Sequence, residues 1–329
     1  MRLGLQLNGF DWDGGPANFA ATLAEVARTA EEAGFDRIGM ADHLWQHPIM
    51  GGPEADEPEC YTTLGYLAAS TERISLMAMV TGVHFRHPGI GPILPGLAET
   101  RRVIAVELQG HGRTADIDRP ITYEHMADDV AALIRHLDLD HPDVFGFSMG
   151  GAAALQLAIR HPGLARRLVL ASVSYTSDGA QPELQEMLPG ITPEMFAGSP
   201  IKEAYLEVAP NPEDFPRLVE KMKRLDTTPF AWPAEDVRGI EAPTLIVVGD
   251  ADVVRLEHAV EMFRLLGGGA MGDLASLPRS QLVVLPGTTH FVPPGSGVLD
   301  RAGWLLAMVP AFLDAHMPGA EAEETSTND

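Results

Sequence analysis

The stretch Val144-Phe145-Gly146-Phe147-Ser148-Met149-Gly150-Gly151 constrains this chain more than any other. An apolar run that closes on Gly-x-Ser-x-Gly and continues into small residues predicts a strand, a sharp turn and a helix over 150–161. Gly146 and Gly150 lack Cβ, so the chain can turn tightly there and bring the helix close to the strand. Ser148 then occupies the apex in a strained backbone conformation, its hydroxyl exposed and neighbouring amides aimed at a bound anion. A glycine-rich turn without chemistry gives the same local pattern. The flanking strand and helix, and residues far downstream, favour the catalytic reading.

With 329 residues the chain suits one large α/β domain or two smaller ones. Lys and Arg number 23 against 46 Asp and Glu, a net charge of −23. That balance argues against nucleic acid and anionic membrane as partners. Cys60 is the single cysteine, so no internal disulfide forms. The first residues carry no basic segment leading into a long apolar run, and no stretch has the length of a membrane span, so a cytoplasmic location is expected. Residues 317–329 hold Glu321, Glu323, Glu324 and Asp329 and almost nothing apolar, which predicts a disordered tail.

The first third reads as strand 2–7, helix 17–34, strand 36–40, loop 41–60, helix 62–70 and strand 73–80. The first helix has Phe19, Leu23, Val26 and Ala30 on one face and Gly34 as its stop. This βαβαβ order predicts parallel strands joined by right-handed crossovers. Two histidine pairs occur here, His43/His47 and His84/His87, and helical i, i+4 spacing could make the first a metal pair. Pro48 argues for a loop and no carboxylate completes a ligand set, so no metal is expected. The opening strand, Gly34-Phe35-Asp36-Arg37-Ile38, Asp42-His43, Tyr61–Ala68, Val80-Thr81-Gly82-Val83 and Arg86-His87-Pro88 together resemble the start of the luciferase-like flavin and deazaflavin oxidoreductases. The resemblance covers residues 1–89 and then stops. It implies the beginning of a (β/α)8 barrel whose later strands, which supply much of the cofactor site, do not follow, so no cofactor is expected.

Beyond residue 90 a helix-like piece spans 91–100 and a strand is predicted at 102–108. Thr122 caps a helix with Met126, Val130, Leu133, Ile134 and Leu137 on its apolar face. Strands follow at 143–147, 167–172, 244–249 and 281–285, with helices at 256–266 and 301–315. Apolar strands alternating with amphipathic helices argue for an α/β fold, a mostly parallel sheet with helices on both faces. Functional groups on such sheets lie beyond the carboxyl ends of the strands. Ser148, Asp252 and His290 fall at those ends, in the chain order Ser…Asp…His.

Residues 91–316 resemble an α/β-hydrolase of the single-domain esterase type with a helical cap. The resemblance rests on Gln109-Gly110-His111-Gly112-Arg113, the Ser148 turn, Gly249-Asp250-Ala251-Asp252 and Gly287-Thr288-Thr289-His290-Phe291. It implies that Ser148 attacks an acyl carbon, His290 carries the proton and Asp252 orients the imidazole. It makes Asp252 the acid as the fourth residue of its turn, leaving Asp250 as a turn carboxylate and His111 as a structural loop residue. Residues 176–241 match the cap, where Met187, Phe196 and Trp232 are candidates to face the substrate while the other apolar residues pack the cap itself. The expected substrate is a small-molecule ester or other acyl compound. Lactonase, carbon–carbon hydrolase, peptidase and perhydrolase chemistries share the trio. A flavin-dependent oxidoreductase and a catalytically impaired hybrid are the alternatives.

A complete hydrolase of this type has two or three further strands and a His-Gly loop before the 91–100 piece, and that loop supplies one of two oxyanion amides. Here the oxidoreductase-like segment stands instead. The amide of Met149 supplies the other donor. Strand 73–80 either takes the central position, making Gly82 and Val83 substitute donors, or stays in a separate lobe and leaves the hydrolase sheet one strand short. The expected organisation is an N-terminal fragment at 1–89, a hydrolase core at 90–175 and 242–316, and a cap at 176–241.

Overall fold

The computed structural model describes residues 4–7, 18–41, 60–79, 91–273 and 277–315. The chain divides into two compact units, residues 1–83 and 84–329. His43, His47, Gly82, Val83, His84, His87 and the acidic tail lie outside the described residues.

The first unit runs β1 (Gly4–Leu7), α1 (Phe19–Glu32), β2 (Arg37–Ala41), α2 (Cys60–Ala68) and β3 (Ser75–Met79). Its sheet has the order β1-β2-β3 and all pairs are parallel. Of the predicted stripe, Leu23 and Ala30 are buried in helix α1 and Phe19 and Val26 are partly buried against the same core, which Ala27, Ile38 and Leu67 complete. Gly34 ends the helix at φ +83°, a conformation a Cβ disfavours. The Glu31 carboxylate accepts the amides of Glu72 and Ile74 at 3.1 and 2.7 Å, tying α1 to the turn before β3. Hydrogen bonds from the Arg73 and Ile74 amides hold its carboxyl below the usual carboxylate range.

The second unit contains α3 (Leu94–Ala98), α4 (Tyr123–His136), β4 (Val144–Phe147), α5 (Met149–Arg160) and β5 (Leu168–Ala171). An insertion follows with α6 (Pro182–Met187), α7 (Pro200–Val208), α8 (Phe215–Thr227) and α9 (Ala234–Arg238). The unit closes with β6 (Thr244–Ala251), α10 (Leu256–Leu265), β7 (Gln281–Thr289) and α11 (Ala302–Asp314). The strands form a parallel sheet of order β4-β5-β6-β7, with Phe147 opposite Ala171 and Ala171 opposite Val247. Leu168 and Leu170 pack with Leu155, Ile246 and Met262 on one face. Val169 and Ala171 pack with Leu245, Val309 and Phe312 on the other. A strand buried on both faces needs apolar residues at every position, which is why β5 shows no alternation. Thr122 caps α4 as expected, accepting the His125 amide at 3.1 Å.

Two expectations require correction. Residues 102–108 form no strand, although Val103 does pack into the core. A strand is stabilised by a neighbour that takes its amides and carbonyls, and among the described residues none pairs with this segment. Strand β3, offered as that missing neighbour, pairs with β2 in the first unit's own sheet, and β4 is an edge of the second sheet among the described residues. Of the two arrangements set out above, the ladders match the one with separate sheets.

Candidate active site

Ser148 links β4 to α5 with φ 53° and ψ −122°. A non-glycine residue in this region costs on the order of 1–3 kcal/mol, and the surroundings over-determine it. The Ser148 amide donates to Ala171 O at 2.9 Å, while its carbonyl accepts the Ala152 amide at 2.9 Å. The close approach beneath it differs from the sequence reading in one glycine. A Cβ on Gly146 would lie 2.6 Å from Gly151 Cα, and one on Gly151 would stand 3.0 Å from Gly146 O and collide with Val173. A Cβ on Gly150 would meet nothing within 4 Å. Strand and helix are pressed together at Gly146 and Gly151; Gly150 lends its backbone to that contact but has room for a Cβ of its own.

Strand β7 leads into His290, and the structure brings it to Ser148 and Asp252. His290 Nε2 lies 2.9 Å from Ser148 Oγ and Nδ1 lies 2.9 Å from Asp252 Oδ1. With its proton on Nδ1, facing the carboxylate, the ring offers Nε2 as acceptor to the serine hydroxyl. Phe147 stacks on the imidazole at 4.8 Å, and Phe291 meets it edge-on at 5.4 Å. Asp252 is 4% exposed. Burial alone would raise its carboxyl, but hydrogen bonds from His290, Ser172 and the Gly249 amide, with the attraction of His290, hold it below the usual range.

Asp250 turns away from this trio. It accepts the amides of Gly287 and Thr288, each at 2.9 Å, and so fixes the loop that carries His290. Arg301 holds the same loop from the start of α11 through Thr288 Oγ1 at 2.9 Å and the carbonyl of Gly287. His111 Nδ1 lies 2.9 Å from Gln109 O within its own loop.

Met149 opens α5, and first-turn helix amides have no intrahelical acceptor, so the amide is of the type that can bind an oxyanion. The remaining candidates are dispersed. Met187 is 56% exposed on α6. Phe196 packs edge-on against Phe215 at 5.9 Å, and Trp232 is buried against Tyr123 and Phe230. These are packing contacts within the insertion and with α4. Sequence reasoning missed Ser172, whose hydroxyl donates to Asp252 Oδ2 at 2.6 Å. Its only sequence signal is its position directly after a buried apolar run, one strand over from Ser148.

A parallel sheet covered on both faces, with a left-handed serine at one strand end hydrogen-bonded to histidine and histidine to aspartate, defines the α/β-hydrolase fold. The chain belongs to the alpha/beta hydrolase family, whose model matches residues 79–302. It is 30% identical to 2-hydroxy-6-oxo-2,4-heptadienoate hydrolase of Pseudomonas putida over 212 residues, covering 56% of this chain and 76% of that protein. It is 37% identical to 2-hydroxymuconate semialdehyde hydrolase of a Pseudomonas species over 107 residues, covering 28% of this chain and about a third (36%) of the relative's length. Among solved structures, a meta-cleavage product hydrolase from Pseudomonas fluorescens, in a mutant form complexed with acetates, shares the fold with a TM-score of 0.51. The identity there is 19%, over 69% of this chain and 85% of that one. Residues 1–90 match a luciferase-like monooxygenase model.

That second match implies a flavin, and the described residues of the first unit do not fit one. Three parallel strands do not close a barrel. A concavity of about 510 Å³ in this unit is lined by Glu31, Glu32, Asp36, Arg37, Arg73 and Ser75, at the amino ends of β2 and β3. Sites on parallel barrels lie at the opposite, carboxyl ends. Among the described residues no group of three or more His, Cys, Asp or Glu could hold a metal ion, and no helix is long and apolar enough to cross a membrane.

Proposed function

We propose that this chain is a serine hydrolase that cleaves a small-molecule carboxylic ester or related acyl compound through an acyl-enzyme. The observation that carries the reading is the unbroken hydrogen-bonded series Ser148 Oγ, His290 Nε2, His290 Nδ1, Asp252 Oδ1, with 2.9 Å at each link between residues. Ser148 Oγ attacks the acyl carbon as His290 Nε2 takes its proton, and Asp252 stabilises the imidazolium. His290 then returns that proton to the departing alcohol oxygen. Water repeats the sequence on the acyl-enzyme, releasing the acid and restoring Ser148. The Met149 amide binds the oxyanion in both steps. Met149 is the donor proposed here, and a site with one oxyanion donor rather than two turns over roughly a hundred- to a thousandfold more slowly. Family membership and the hydrolase names of the relatives support hydrolysis as the reaction type.

The organisation proposed with it is a hydrolase core at 90–175 and 242–316, a cap at 176–241 and an N-terminal fragment at 1–89. The test is covalent labelling of the purified chain by a fluorophosphonate, alongside hydrolysis of p-nitrophenyl acetate. Ser148→Ala is expected to abolish both. Labelling and hydrolysis that persist in Ser148→Ala would overturn the assignment.

A further inference from the structure

Neighbouring strands β4 and β5 end in the same unusual way. Ser148 follows β4 at φ 53° and Ser172 follows β5 at φ 55°, and the amide of each donates a hydrogen bond to the next strand, Ser148 N to Ala171 O at 2.9 Å and Ser172 N to Val247 O at 2.8 Å. A left-handed backbone at a non-glycine residue is strained, and such strain gathers where a side chain must be aimed. At Ser148 it aims the nucleophile. At Ser172, which is 4% exposed, it directs the hydroxyl onto Asp252 Oδ2 at 2.6 Å.

The four hydrogen bonds to Asp252 divide by oxygen. Oδ2 accepts Ser172 Oγ and the Gly249 amide at 3.1 Å. Oδ1 faces His290 Nδ1 at 2.9 Å and the Val254 amide at 3.4 Å. Without Ser172, Oδ2 keeps one donor and the carboxylate is free to rotate about its terminal torsion, which is broad. We propose that Ser172 is a positioning residue for hydrolysis: it pins Oδ2 of Asp252 so that Oδ1 stays in line with His290, and it sets how strongly that carboxylate holds the imidazole proton. This rests on the serine-hydrolase reading above. The groups facing Asp252 are Ser172 from β5, the Gly249 amide from β6, the Val254 amide from its own turn and His290 from the end of β7. Of these only His290 titrates. The ring itself faces Ser148, Asp252, Phe147 and Phe291, so removing the Ser172 hydroxyl changes one contact in an otherwise fixed setting.

The direction follows from position. Without the Ser172 hydroxyl, Asp252 Oδ1 leaves the line of His290 Nδ1, and the imidazolium loses part of the charge that stabilises it. Ser172→Gly removes the hydroxyl while easing the left-handed backbone, and Ser172→Ala removes the hydroxyl and keeps the strain. With p-nitrophenyl acetate, both variants are expected to lower kcat about ten- to a hundredfold, as loss of an orienting partner commonly does, with KM little changed. The acid limb of kcat/KM, which reports the free enzyme's base, moves to lower pH in both. Ser172→Thr, which keeps the donor, restores the wild-type limb. A Ser172→Gly enzyme with wild-type kcat and acid limb overturns the proposal, as does a lowered kcat with an unmoved limb, which marks a merely structural serine. Fluorophosphonate labelling of Ser148→Ala separates this from the parent reading. If labelling survives there the triad fails, whereas Ser148-dependent labelling with an inert Ser172 sinks only the positioning role.

Discussion

Asp250 and Asp252 lie two residues apart on one turn, yet they act on opposite ends of the same loop: Asp252 meets the His290 ring and Asp250 binds the amides of Gly287 and Thr288 just before it. The separation predicts different consequences for the same change. Asp252→Asn keeps the volume but replaces the acceptor facing Nδ1, so the imidazole loses its orientation and tautomer. The expected fall in p-nitrophenyl acetate turnover is about ten-thousandfold. Asp250→Asn leaves the trio intact and only loosens the loop, with an effect of about tenfold or less. Comparable losses in both variants would show that the two carboxylates are not divided in this way.

The glycines of the Ser148 turn give a sharper test of packing. A Cβ on Gly146 meets backbone atoms of Gly150 and Gly151, which cannot move without opening the helix–strand contact. Gly146→Ala is expected to cost about 3 kcal/mol or more, and Gly151→Ala, which presses on Val173, somewhat less. Gly150→Ala faces open space and is expected to fold with a melting temperature near that of the parent. Thermal denaturation of the three variants, followed by circular dichroism, orders them directly.

These glycines also mark what sequence can and cannot say. Ser148, Asp252 and His290 were legible because each follows a recognisable apolar run and the order of the three is restrictive. The helix capped by Thr122 was legible because cap and apolar stripe agree. The role of Gly151 was not, since Gly150 and Gly151 are adjacent and only the approach of Val173 distinguishes them. Residues 102–108 carry a strand pattern, but a strand also requires a neighbour, and pairing is a property of the whole sheet rather than of the segment. Ser172 was invisible for a related reason. A serine after a buried run is common, and its value comes from the carboxylate 80 positions away that its hydroxyl reaches.

The Gln109–Arg119 loop and α8 are fastened through the buried Asp116 carboxylate and through the carbonyls of Ile117 and Arg119. Asp116 accepts Gln109 Nε2 at 2.8 Å, Lys221 Nζ at 2.7 Å and Arg217 Nε at 3.0 Å, with its own side chain 1% exposed. Asp116→Ala leaves these donors without their shared acceptor. Because Arg217 and Lys221 still reach water, the cost is expected to be moderate, about 2 kcal/mol, seen as a melting temperature lower by roughly 5 °C. Lys221→Met also removes the bonds to the carbonyls of Ile117 and Arg119, at 2.8 and 2.9 Å, but leaves the buried Asp116 with Gln109 and Arg217, and is expected to cost less. A melt in which Lys221→Met is the more damaging change would contradict this account of the fastening.

Acid stability offers a test of the contact between α4 and α5. Asp128 binds Arg160 Nη2 at 2.7 Å and His161 Nε2 at 2.8 Å. The hydrogen bond from Arg160 is the largest influence, burial opposes it as the next, and His161 with the charge of Arg160 adds to it, so that the Asp128 carboxyl falls from 3.8 to about 2. A group whose pKa is depressed on folding binds protons more readily when unfolded. Its stabilisation is therefore complete above its unfolded value and fades as pH falls toward the folded one. The difference in melting temperature between the parent and Asp128→Ala should accordingly be steady at neutral pH and shrink as pH drops from about 4 to about 2. Raising the salt concentration should narrow it at neutral pH as well, because the pair is partly exposed and screened. A difference that stays constant down to the lowest pH would mean that Asp128 acts through packing rather than through its charge.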